Sequence, residues 1–183
     1  MKLRDIVGLC PEEAIWKMMA YVSEFLIKDK HAHMLGPDNI TIDGDMFLVG
    51  ADKETPKEFL PPEQEPKESP GTPQMVWTLG AVAYYAASGH VVFGGHGGSY
   101  QKEHPHVPLP KLPKAMGALN PVVQQCLRSD PSERIGLEEL HGLALAGLMA
   151  CSLRQREKSD VLDNGRPGEK NASEEKWPEE MTE

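Results

Sequence analysis

Aromatic side chains make up only 6% of this 183-residue chain, and long apolar runs are missing altogether. No stretch approaches the roughly 20 apolar residues that a membrane span requires, so no membrane-embedded segment is expected. Cysteine is scarcer still. Cys10, Cys126 and Cys151 are odd in number, far apart and without a CxxC pair, which excludes a disulfide framework and a zinc knuckle and fits a reducing compartment. Arg4 and Asp5 interrupt the first apolar residues, so no secretory signal is read and a cytoplasmic location is expected. Asn171-Ala172-Ser173 matches a glycosylation sequon, but that has meaning only in a secreted chain. Basic residues are outnumbered 19 to 28 by acidic ones, giving a net charge of −9. A nucleic-acid partner would need clustered Lys and Arg against its phosphates, so none is expected.

With 39% of its residues apolar, the chain can bury one core of ordinary size. Between Pro11 and about Lys28, Ile15, Met18, Met19, Val22, Phe25 and Leu26 recur at steps of three and four, with Glu12, Glu13, Lys17 and Glu24 opposite. This spacing predicts an amphipathic helix, its start marked by Pro11 and by two acids that complement the helix dipole. A polar loop, 31–39, leads to Ile40–Val49, two short strands around Asp43-Gly44, a strong hairpin signal. Residues 52–74 are rich in Pro, Glu and Lys and predict a long surface segment. Met75–Ala87 is apolar nearly all round, as in a helix buried at the centre of a domain, and Ser88-Gly89 closes it. An irregular Gly, His and Pro-rich stretch, 91–113, precedes two further helices, Ala115–Leu127 and Leu137–Leu153, separated at Pro131. The expected organisation is one mainly α domain over 1–153 with a short β-hairpin, then a disordered acidic tail over 154–183.

Four short motifs occur in an order that resembles the C-terminal lobe of protein kinases across roughly residues 9–150. Leu35-Gly-Pro-Asp-Asn39-Ile-Thr-Ile is similar to the end of the catalytic loop and the hairpin after it. Pro61-Pro62-Glu63 is similar to the Ala-Pro-Glu that closes the activation segment, so 52–74 would be activation-segment-like. Val76-Trp77-Thr78-Leu79-Gly80 resembles the Val-Trp-Ser-Leu-Gly of the central helix, and Cys126-Leu-Arg-Ser-Asp130-Pro131-Ser-Glu-Arg134 the family's Cys-Leu-x-x-Asp-Pro-x-x-Arg. The resemblance implies a structural ion pair between Glu63 and Arg134. The opening, Leu3 to Leu9 followed by Pro11-Glu-Glu-Ala-Ile-Trp16, also resembles the kinase non-catalytic C-lobe (KIND) domains, which bind peptide segments of partner proteins.

The catalytic parts of the family pattern are nearly all replaced. Met34 stands at the expected catalytic Asp, and a thioether can neither orient nor deprotonate a hydroxyl. Gly50-Ala51-Asp52-Lys53 runs where Asp-Phe-Gly belongs, and Met75 takes the place of an Asp that braces the catalytic loop. Of the metal-binding residues only Asn39 remains, with Asp52 a displaced candidate should any Mg–ATP binding persist. A first helix beginning near Pro11 leaves no residues in this sequence for a nucleotide-binding N-lobe. The expectation is therefore a catalytically inactive pseudokinase-like module without cofactor, binding a protein or peptide segment, with Trp16 and His33 as interaction candidates. Homo-oligomerisation is left open. The alternative is a remnant or split kinase that receives its N-lobe in trans.

Rival chemistries have less support. His31-Ala-His33 and His104-Pro-His106 carry zinc-like spacing but no third ligand nearby. Gly94–Gly98 precedes a Pro-rich stretch rather than opening a helix from a strand, so it reads as a flexible surface loop and not a phosphate cradle. Cys126 falls on an apolar helix face, where cysteine is inert packing. Neither Ser99 nor Ser132 has a nucleophile-elbow context.

Overall fold

A computed structural model describes residues 1–8, 10–29, 31–33, 35–50, 53–65 and 67–164. Among the described residues the protein is mainly helical, with a two-stranded antiparallel hairpin. Its α-helices are α1 (Glu12–Lys28), α2 (Thr72–Ser88), α3 (Gly98–Glu103), α4 (Asn120–Cys126) and α5 (Leu137–Asn164). The strands are β1 (Ile40–Asp43) and β2 (Met46–Val49). Among the described residues no helix is long and apolar enough to cross a membrane.

Helix α1 starts where the sequence places it, at Pro11 with Glu12 and Glu13 in its first turn, and Ile15, Met18, Met19, Val22 and Leu26 are buried. Helix α2 is the centre of the core. Trp77, Leu79, Ala81, Val82 and Ala83 are fully inaccessible. The helix opens at Thr72 with Pro73 in its first turn, three residues before the expected start, because Pro fits a position whose N–H has no intrahelical partner. It ends at Gly89, which adopts φ 76° and ψ 1° and donates to Tyr85 O, the left-handed cap expected from Ser88-Gly89.

Small residues set the two closest helix approaches. A side chain at Gly80 would overlap Cys126, so α2 and α4 pack backbone to side chain there. A side chain at Gly147 would overlap the ring of Trp16, which lies across α5. Trp16 is therefore only 3% exposed, its Nε1 donating to Glu12 Oε1 at 3.1 Å. It has no exposed face to offer a partner and is removed from the interaction candidates. The sequence could not show this, because the residue that admits the ring is a glycine 131 positions later.

In the hairpin, Ile40 pairs with Val49 and Asp43 with Met46, so Gly44 and Asp45 form the two-residue turn, one step beyond the expected Asp43-Gly44. Gly44 has φ 56°, which suits a primed hairpin turn. Lys2 bridges to Thr41 on the other edge of β1, with Ile42 N donating to Met1 O at 2.7 Å.

Three expectations are corrected outside these elements. The segment 52–74 is exposed over much of its described length, as expected of a surface segment, but residues 59–62 are anchored in the core. Phe59 is 2% exposed, meets Tyr85 edge-on at 5.4 Å, and its carbonyl accepts from Thr78 Oγ1 at 3.0 Å. The Gly94–Gly98 stretch is not a free loop either. Gly97 and Gly98 are buried against the backbone of Glu58 and of Leu60–Pro62, where any Cβ would collide, and Gly98 opens α3 inside the expected irregular stretch. Ala115–Leu127 forms a 3-10 turn, Lys114–Met116, before the shorter α4, because Gly117 and Pro121 break the pattern.

The tail boundary also moves. Helix α5 runs to Asn164, so residues 154–164, expected to be disordered, are helical. Arg154 and Gln155 reach back to Glu12 and Glu13 of α1, and Arg156, Glu157 and Lys158 that follow are good helix formers. The rest of the expected tail, 165–183, lies outside the described residues.

Candidate functional site

Of the residues singled out by sequence, His33 and Asn39 lie in the loop that precedes the hairpin, Glu63 in the segment that follows it, and Arg134 just before α5. Met34 and Asp52 fall outside the described residues. Leu35, Gly36, Pro37 and Asn39 are buried, and the loop closes on itself through Asn39 N to Gly36 O at 3.0 Å. Asn39 O accepts from Gly50 N at 2.8 Å, and Asn39 Nδ2 donates to Lys53 O at 2.8 Å. Asn39 thus ties the start of β1 to the chain leaving β2, a bracing role written into three of its polar atoms. Arg4 Nη2 pairs with Asp38 Oδ2 at 2.7 Å on the loop's rim.

His33 packs on Phe25, with ring centroids 4.7 Å apart, and 13% of its side chain remains exposed. Its Nε2 lies 3.2 Å from Asp29 Oδ2 but off the hydrogen-bonding direction, so the contact is an ionic one that depends on His33 carrying its proton. His31 Nδ1 takes the other oxygen, Oδ1, at 2.6 Å. The hydrogen bonds from His31 hold the Asp29 carboxyl below its ordinary range. Both histidines of the HxH pair therefore converge on one carboxylate. Among the described residues no group of three or more His, Cys, Asp or Glu is placed to hold a metal ion. The second pair diverges in use, His104 stacking on Tyr100 at 4.1 Å.

Glu63 and Arg134 meet as a two-pronged ion pair 71 residues apart in sequence, with Nη1 on Oε1 and Nη2 on Oε2 at 2.7 Å. The guanidinium is 1% exposed and the carboxylate 25%. Arg134 also donates to Arg128 O at 2.7 Å, Ser129 O at 2.9 Å and Pro73 O at 3.1 Å. It binds the segment before α2, the first turn of α2 and the turn before α5 at one point. Asp130 caps that turn, and its two hydrogen bonds from Ser132 hold its carboxyl below the usual range. Cys126, beside this junction, is fully buried, and desolvation pushes its thiol up to about 12, so it is an inert packing residue at neutral pH.

Two surfaces escaped the sequence reading. Met46-Phe47-Leu48-Val49 is a continuous apolar run, which does not reveal the outward residues. In the structure Phe47 turns into the core while Met46 and Leu48, 46% and 44% exposed, face out. The register sets Leu48 beside Thr41, whose hydroxyl accepts from Lys2 Nζ at 2.9 Å, and Met46 beside Asp43. The second is the outer side of α5, where Leu145, Met149 and Leu153 are 43%, 66% and 56% exposed. The helical pattern of Leu137–Leu153 does not by itself say which side the core leaves uncovered.

No protein-family model matches the chain, and no curated protein matches it.

Proposed function

We propose that this chain is a non-catalytic, kinase-C-lobe-like interaction module that receives an apolar segment of a protein partner on the outer face of its hairpin. The observation that carries the reading is the exposure of Met46 and Leu48, two large apolar side chains held outward by a strand whose other face is fixed in the core. Rigid, exposed apolar residues on a paired strand fit a binding surface, because a partner can bury them without ordering the hairpin first. Lys2, Asp43 and Asp45 supply charges of both signs at its rim. Two features support a kinase-like but inactive origin. Glu63 and Arg134 pair as the family resemblance implies, and Met34 stands in the sequence where that resemblance expects the catalytic Asp. Neither cofactor nor metal is required by this role.

Selection of peptides from a random library on the folded chain tests the proposal. The expected outcome is a set of apolar sequences whose binding is lost in the Met46→Lys/Leu48→Gln variant with little change in melting temperature, since both side chains are about half exposed and a Lys at 46 would face Asp43. Binders indifferent to that variant would remove the hairpin from the account.

A further inference from the structure

We propose that two copies of this chain associate through the outer face of α5, packed antiparallel about a two-fold axis that passes between Gly147 and Leu148. The inference is independent of the hairpin reading and uses a different surface.

Helix α5 has two apolar sides. Leu140, Ala144 and Cys151 are buried, and Gly147 lies under Trp16 of α1. On the opposite side Gly142, Leu145, Ala146, Met149, Ala150 and Leu153 are all exposed, spaced by three and four residues along one continuous stripe. Within it, 142, 146, 149 and 153 follow the alternating four-three step of a helix–helix seam.

The stripe is complementary to itself. An antiparallel copy centred between Gly147 and Leu148 sets Leu153 against Gly142, Met149 against Ala146, and Leu145 against Ala150. Each bulky residue then meets a small one, as knobs meet holes, and a two-fold axis repeats every contact. No other single occupant is specified so fully by this chain's own sequence.

Charge selects the direction. The stripe is flanked by Glu138 and Glu139 at its start and by Arg156 at its end, all exposed. The same antiparallel register places Arg156 across from Glu139, once at each end, with Glu138 and Glu157 facing each other at the wet rim. A parallel pair would instead stack glutamates on glutamates and Arg156 on Arg156. The seam from 142 to 153 is about 16 Å long at 1.5 Å per residue, so the buried area falls at the small end for specific interfaces and the affinity is micromolar.

Sedimentation equilibrium of the full chain over a range of concentrations tests the proposal. The mass is expected to rise from one chain to two across the micromolar range. Met149→Glu, at an exposed position, should stay monomeric, with the melting temperature of the parent at concentrations where the parent is also monomeric. Arg156→Glu should weaken association by roughly tenfold, by replacing attraction with repulsion at both ends. The double variant Glu139→Arg/Arg156→Glu should restore it. A chain that remains monomeric at high micromolar concentration overturns the proposal and leaves the face to residues 165–183 or to another protein's helix. A dimer that the double variant fails to restore overturns the register.

Discussion

Arg134→Ala is expected to destabilise the fold by about 3–5 kcal/mol, the range seen when one partner of a buried ion pair is removed. The guanidinium is almost inaccessible, and its loss leaves the carbonyls of Arg128, Ser129 and Pro73 without their donor and the Glu63 carboxylate without its counter-charge. Against a total stability of about 5–15 kcal/mol for a domain, that is a large fraction. Glu63→Ala should fall at the lower end of the range, because three carbonyls still hold Arg134 and Glu63 is already a quarter exposed. Glu63→Gln, which keeps an acceptor in place, should cost less again. Chemical denaturation of the three variants checks the order. Equal stability of Arg134→Ala and the parent would mean that the junction between 61–64, α2 and the turn before α5 does not hold the domain together.

Trp77→Ala should be as severe, about 3–5 kcal/mol, for a different reason. Trp77 is fully inaccessible in the middle of α2, and its loss opens a cavity that a helix packed on every side cannot close. The indole also begins a short polar relay. Trp77 Nε1 donates to Gln101 Oε1 at 3.1 Å, and Gln101 Nε2 donates to Leu127 O at 2.8 Å, so a buried glutamine ties α2 and α3 to the end of α4. Trp77→Phe separates the two contributions. It keeps most of the volume but leaves Gln101 Oε1 without its donor, at a cost of about 1–3 kcal/mol. A Phe variant as unstable as the Ala variant would show that the relay, not the cavity, dominates. Both effects can be read from thermal unfolding, at about 2–4 °C per kcal/mol for a chain of this size.

These two positions also show what the sequence could and could not reveal. Trp77 and the helix around it are legible because apolar residues on every face have one physical solution, burial at a centre. Glu63 and Arg134 are legible only through resemblance, since no periodicity links residues 71 positions apart. Gln101 was hidden in a Gly, His and Pro-rich stretch with no helical pattern. What exposes it is the tertiary contact, a buried amide whose oxygen accepts from Trp77 and whose nitrogen donates to Leu127 O.

The misread positions share a cause. Trp16, Phe59, Gly97 and Gly98 all depend on a distant segment. A glycine in α5 admits the Trp16 ring, a pocket beside Tyr85 takes Phe59, and the backbone of Leu60–Pro62 leaves room for no side chain at Gly98. Local composition describes such residues as exposed or flexible until the partner segment is in place. The outer faces of β2 and α5 were missed in the opposite sense, because an apolar run gives no sign of which half the core leaves uncovered.

The central claim, that the folded chain binds a protein segment and not a nucleotide, is tested most directly by thermal unfolding of the purified chain in increasing Mg–ATP. A ligand that binds only the native state adds about 2.7 kcal/mol at 100 times its dissociation constant, a shift that is easily measured. The account predicts an unchanged melting temperature up to millimolar Mg–ATP, because the Asp residues that a kinase places on the metal and on the hydroxyl are replaced or displaced in this sequence. A saturable rise that is lost in Asn39→Ala would contradict the account and would favour a split kinase completed in trans.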